Sequence, residues 1–179
     1  MKISITFIAI ILLAVMQSCT VPNPYQPVDN TNPNDNIGGE TSTGGTATTG
    51  GITLSGSSAG DDESHNMGQN CMNCHSPGGE GEKVWQISGT VYNQAGTVTK
   101  PNAVIKFFTG PNGTGTLKYT LNADALGNLY TKGPVDFTGG LFPAVVGSTG
   151  TNYMSSSITS GACNSCHTGG TGTARVWTN

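Results

Sequence analysis

The chain has 179 residues and a formal net charge of −3, with only 9% of its residues charged, so the composition supplies no basic surface of the kind that holds nucleic acid. Hydrophobic residues make up 35% and glycine takes 27 positions, which suits one small folded domain and excludes several large ones.

Lys2 is followed by the apolar run Ile3 to Val15. That run is too short to span a bilayer and has the charge-then-apolar order of a secretory signal, so the protein is expected to be exported. It leads into Met16-Gln17-Ser18-Cys19, which resembles a bacterial lipobox. The resemblance implies a lipoprotein signal peptide over residues 1–18 and a diacylglycerol on the Cys19 sulfur, with Cys19 first in the mature chain. The alternative is an ordinary signal with an incidental Cys19. Two or three acyl chains, at about 0.8 kcal/mol per buried methylene, hold a protein on a membrane far better than one. Thr20 stands where an Asp commonly retains such lipoproteins at the inner membrane, so the resemblance implies an outer-membrane lipoprotein on the periplasmic or cell-surface face.

Residues 19–64 form the next segment, and from Thr20 onward they are almost wholly Gly, Ser, Thr, Asn, Pro and Asp, with Tyr25 the only aromatic. Such a stretch buries too little surface to fold and reads as a flexible, disordered tether. Its 45 residues after Cys19 span about 35–40 Å as a Gly-rich coil.

Over residues 84–160 short apolar runs alternate with turn residues, and no helical period is sustained, so this region is expected to be mainly β. Leu117, Tyr119 and Leu121 alternate with Lys118 and Thr120, the period of a half-buried strand. Trp85, Ile87 and Val91 share the parity of a second strand. Further strands are expected around Ala103–Phe108, Asn128–Thr131, Leu141–Val146 and Asn152–Ile158. The turn clusters between them are spaced as a small sandwich requires. The run Ile87-Ser88-Gly89-Thr90-Val91-Tyr92, then Gly96, Pro101-Asn102-Ala103-Val104-Ile105, Asp124 and Gly127-Asn128-Leu129-Tyr130, resembles the carboxypeptidase regulatory-like (transthyretin-like) domains. Over about 75 residues the resemblance implies a small Ig/transthyretin-like β-sandwich.

Two segments flanking that region, 65–83 and 161–179, carry the chemistry. Cys71-Met72-Asn73-Cys74-His75 and Cys163-Asn164-Ser165-Cys166-His167 are both C-x-x-C-H, the attachment motif of c-type haem. Two thiols at this spacing match the two vinyl groups of a porphyrin, and the next residue brings an imidazole under the iron. Two covalent c-type haems are therefore expected, on Cys71 and Cys74 and on Cys163 and Cys166, with His75 and His167 as proximal ligands. A zinc site of two Cys-x-x-Cys pairs and a pair of disulfides are the alternatives, and neither explains a histidine in the same place twice.

Each motif is followed, ten residues past its histidine, by a tryptophan in the context cation-Val-Trp: Lys83-Val84-Trp85 and Arg175-Val176-Trp177. Trp85 and Trp177 are candidates for packing on a porphyrin face, and Lys83 and Arg175 for pairing with propionates. Alternatively, the tryptophans belong to strands and the cations to solvent. Two irons offer four axial positions, and His65 is the one histidine left over, a candidate distal ligand or else a solvated loop residue. Met154 is the candidate for the fourth position, ahead of Met67 and Met72, with a core position or a vacant iron as the alternatives.

The combination resembles exported multihaem lipoproteins in which a sandwich separates one C-x-x-C-H from another, here by the 87 residues from Ser76 to Ala162. The expected function is electron transfer with redox partner proteins such as other cytochromes, with the membrane reached through the lipid anchor and no nucleic-acid partner. The competing reading is a haem-based redox enzyme or ligand sensor, which requires an open iron.

Overall fold

The computed structural model describes residues 51–57, 64–169 and 173–179. The signal peptide, Cys19 and most of the tether lie outside these residues. The described part is mainly β, and none of its helices is long and apolar enough to cross a membrane.

A five-stranded sheet runs in the order β1-β5-β4-β7-β8. Its strands are β1 (Ile52–Thr53), β5 (Leu117–Asn122), β4 (Val104–Phe108), β7 (Phe142–Val146) and β8 (Thr151–Tyr153). A three-stranded sheet is centred on β2 (Ile87–Thr90), antiparallel to β6 (Asn128–Thr131) and parallel to β9 (Gly161–Ala162). The short strands β3 (Tyr92–Asn93) and β10 (Trp177–Thr178) pair in parallel.

The two larger sheets share one apolar core, because period-two patterning gives each strand an apolar side. Ile105 and Phe107 on β4, Tyr119 and Leu121 on β5 and Val145 on β7 meet Ile87 and Leu129 from the smaller sheet. Phe107, Ile87 and Leu121 are fully buried, and each such side chain contributes about 1.5–3 kcal/mol of hydrophobic stabilisation. The connection from β5 to β6 is a tight turn. Asp124 is buried and its Oδ1 accepts hydrogen bonds from the amides of Leu126 (2.8 Å) and Asn128 (3.0 Å). Gly127 closes the turn at φ +81°, a conformation that disfavours a side chain.

Two expectations change. The tether boundary at residue 64 moves, because Ile52–Thr53 pairs with β5 and Leu54 is buried in the core. Leu54 is an apolar side chain in an otherwise polar stretch, and its amide donates to the Thr120 carbonyl at 2.8 Å. The strand expected over Asn152–Ile158 stops at Tyr153, and Ile158 returns only as an isolated bridge to Leu141. β2 is buried on both sides, and Ser88 and Thr90 are as enclosed as Ile87.

Candidate functional site

The two C-x-x-C-H segments fold into closely similar local forms. Cys71–Asn73 is a single 3-10 turn begun by Asn70, whose side chain accepts from the Met72 amide, and Cys163–Cys166 is one helical turn, α1. In both, the histidine amide donates to the carbonyl of the first cysteine: His75 to Cys71 at 2.9 Å and His167 to Cys163 at 3.0 Å. Each imidazole is also held by Nδ1 against a main-chain carbonyl downstream, Lys83 at 3.0 Å for His75 and Ala174 at 2.6 Å for His167. An Nδ1–H donated to a carbonyl fixes the tautomer and leaves Nε2 with its lone pair, the state a metal-binding imidazole requires.

Around His75 the packing is aromatic. Its ring stacks on Trp85 at 3.6 Å and 4°, and Trp85 stacks in turn on Tyr130 at 4.2 Å and 10°. Both faces of the Trp85 indole are thereby taken, so Trp85 does not offer a face to a porphyrin; it fixes the plane of His75. Its Nε1 is buried without a hydrogen-bond partner. A buried orphan donor costs about 1–3 kcal/mol, and an acceptor arriving at that edge relieves it. His65 lies with its ring centroid 6.3 Å from that of His75. An imidazole nitrogen lies about 1 Å from its ring centre and binds a metal at about 2 Å, so two imidazoles on opposite sides of one metal have centroids about 6 Å apart.

The second motif borders a largely apolar cavity of about 410 Å³. Cys163, Cys166 and His167 line it together with Met154, Trp177 and Arg175, over a floor that includes Phe107 and Leu129. Trp177 is half-buried on β10, and the Arg175 guanidinium lies 4.3 Å above the Tyr92 ring. Lys83 is exposed.

The fold also joins the motifs to each other across β2. The Cys71 thiol is hydrogen-bonded by Ser88, and Cys163 packs on Gly89, where a Cβ would come within 2.8 Å of the Cys163 Cβ. Burial pushes the Cys71 thiol up and the Cys163 thiol up to about 12, the latter helped by the nearby Cys71. Cys71, Cys163 and Cys166 are free thiols. Neither motif is thus bridged within itself. Among the described residues no three His, Cys, Asp or Glu side chains converge on one metal position. A haem makes no such demand, since it takes one or two axial ligands from the protein.

The residues present therefore fit haem in three respects: Nε2 left open on both histidines, a second imidazole at trans spacing from His75, and an apolar cavity bearing His167 with Met154. A haem bound at each motif supplies a one-electron iron couple. Tyr130, Tyr92, Asn128 and Asn164 belong to this site and carry no local sequence signal; only Asn164, lying inside the second motif, was adjacent to one. Compared with protein-family models, curated proteins and solved structures, the chain matches none.

Proposed function

We propose that this protein is an exported, lipid-anchored dihaem c-type cytochrome that carries electrons at the outer membrane, on its periplasmic or cell-surface face. In this reading an Ig/transthyretin-like sandwich separates two haem-binding segments, and Cys19 ties the tether to the membrane. The observation that carries the proposal is the repeated local geometry. Two C-x-x-C-H segments, one packed among aromatic rings and one bordering an apolar cavity, each hold the histidine by its amide and its Nδ1, with Nε2 left to bind.

Each protein group has a definable part. Lys83 and Ala174 hold the imidazoles through their carbonyls, and Trp85 fixes the ring plane of His75. His65 stands at a spacing suited to the far side of the first iron, and Met154 borders the second cavity. Two irons saturated by protein ligands reorganise little on reduction, which suits a carrier. The hydrogen bond from Asn164 Nδ2 to the Gln69 carbonyl, 2.8 Å across 95 residues, keeps the two segments in contact and supports transfer between them.

A potentiometric titration with carbon monoxide binding tests this. The carrier reading gives two reduction waves, the Met-ligated centre at higher potential, and little carbon monoxide bound to the reduced protein. A high-spin iron that binds carbon monoxide in the wild type, with catalytic turnover of peroxide, transfers the assignment to a redox enzyme or sensor.

A further inference from the structure

The segment from Ser64 to Asn70, which carries His65, belongs to no sheet; its own bonds are a turn from Gln69 N to Asn66 O at 3.0 Å and the Asn70 contacts within the first motif. Such a strand of chain is ordinarily a poor support for a ligand, because nothing repetitive holds it. Here it is gripped at Ser64, His65, Gly68 and Gln69 by buried polar side chains from β2, β6, the turn between β5 and β6, and α1. Asp124 accepts from the Ser64 hydroxyl at 2.5 Å. Asn128 donates from Nδ2 to the His65 carbonyl at 3.0 Å and to the Ser64 oxygen at 3.3 Å. The Thr90 hydroxyl oxygen accepts from the Gly68 amide at 2.9 Å, and Asn164 donates to the Gln69 carbonyl at 2.8 Å.

These four side chains are also joined or braced among themselves. Thr90 donates to Asn128 Oδ1 at 2.7 Å, Asn164 Nδ2 reaches the Thr90 hydroxyl at 3.2 Å, and Asp124 accepts the Asn128 amide. All are nearly inaccessible, with exposures of 1% for Thr90, 3% for Asp124 and Asn164 and 5% for Asn128. Burying four polar side chains is costly unless each is satisfied, and here they bond to one another, to the turn between β5 and β6, and to the backbone of one short segment at His65, Gly68 and Gln69.

Resting on the dihaem reading, we infer that Asp124, Asn128, Thr90 and Asn164 form a clasp that positions His65 opposite His75, making them positioning residues for the first iron. Because Asn164 belongs to the second C-x-x-C-H motif, ligation at the first haem depends on the fold of the second. The two centres are therefore mechanically linked through one side chain. The clasp grips two backbone carbonyls, an amide and the Ser64 hydroxyl, so its action does not depend on the identity of the neighbouring Asn66 and Met67 side chains.

The test uses the mature holoprotein with two variants, Asn128→Asp and Asn164→Ala, beside His65→Ala. Asn128→Asp keeps the acceptor for Thr90 but, ionised, has no donor for the His65 carbonyl; Asn164→Ala lies in a motif position that attachment leaves free. Losing a hydrogen bond of this kind shifts the ratio of bound to released His65 by roughly 3- to 10-fold. Both variants are expected to retain two haems while the high-spin, carbon monoxide-binding share of the iron rises toward the half reached in His65→Ala, and the amide of Gly68 is expected to exchange faster. Asn128→Ser, which restores a donor of shorter reach, is expected to recover part of the low-spin signal. Two haems with unchanged low-spin spectra and unchanged Gly68 exchange in both variants overturn the clasp. A wild-type protein without haem overturns the functional reading instead, and a wild type in which His65→Ala leaves the spectrum unchanged overturns the role of His65.

Discussion

The two C-x-x-C-H segments share a backbone form and differ in what surrounds the imidazole. His75 is wedged in a stack of rings, with Trp85 on its face and Tyr130 behind, and a second histidine at 6.3 Å. His167 instead opens on a cavity of about 410 Å³ with a thioether on its wall. The sequences after the motifs run in parallel to cation-Val-Trp, yet Trp85 is buried between rings and Trp177 is half-buried on a short strand. The same local code thus yields two environments because the sheet presents different partners to each segment. On the dihaem proposal, two unlike surroundings would give the two irons different potentials and so give electrons a direction.

The comparison is broken most severely by removing attachment. Cys71→Ala and Cys163→Ala each leave one thioether at a motif and are each expected to weaken the attachment of one haem, lowering the share of haem retained after denaturation in acid. Equal loss of both haems from either variant would mean that the segments do not act as separate sites. Trp85→Ala against Trp177→Ala probes the aromatic stack. A buried tryptophan removed from a filled site costs about 3–5 kcal/mol, so Trp85→Ala is expected to lower the midpoint of chemical denaturation far more than Trp177→Ala. Equal destabilisation would deny the difference in packing.

A smaller effect is expected in the haem-free chain under alkylation. Thiolate is the reactive form, so Cys163, pushed up to about 12 by burial, reacts slowly at pH 8 and faster by about tenfold for each pH unit until its own pKa is reached. Exposed Cys166 is expected to react first, and peptide mapping distinguishes the two. Equal rates at pH 8 would place the Cys163 sulfur in solvent.

The strands were legible where one side faces the core. The alternation at Leu117, Tyr119 and Leu121 reappears in β5, and β4 and β6 fall within a residue of their expected bounds. The edge strand β1 was not legible, since two residues and Leu54 inside a polar tract give no period. Nor was the burial of Ser88 and Thr90 on β2: what covers them is chain from residues 64–71 and 163–164, too remote in sequence for any local pattern to reveal. The motif residues themselves were read from spacing because thioether chemistry demands that spacing. Their supports, Asn128, Asp124 and Tyr130, were hidden because a polar or aromatic residue in a turn or strand has many ordinary reasons to be there. The role expected for Trp85 shifted for the same kind of reason, since a tryptophan that suits a porphyrin face equally suits an imidazole.

The central claim is that both motifs carry covalent haem in an exported, lipidated chain, and the intact mass of the mature protein isolated from membranes tests it most directly. The expected mass is that of residues 19–179 with acyl groups on Cys19 and two haems retained after denaturation in acid. A mature mass lacking both haems, with the four motif cysteines bridged or bound to zinc, would contradict it.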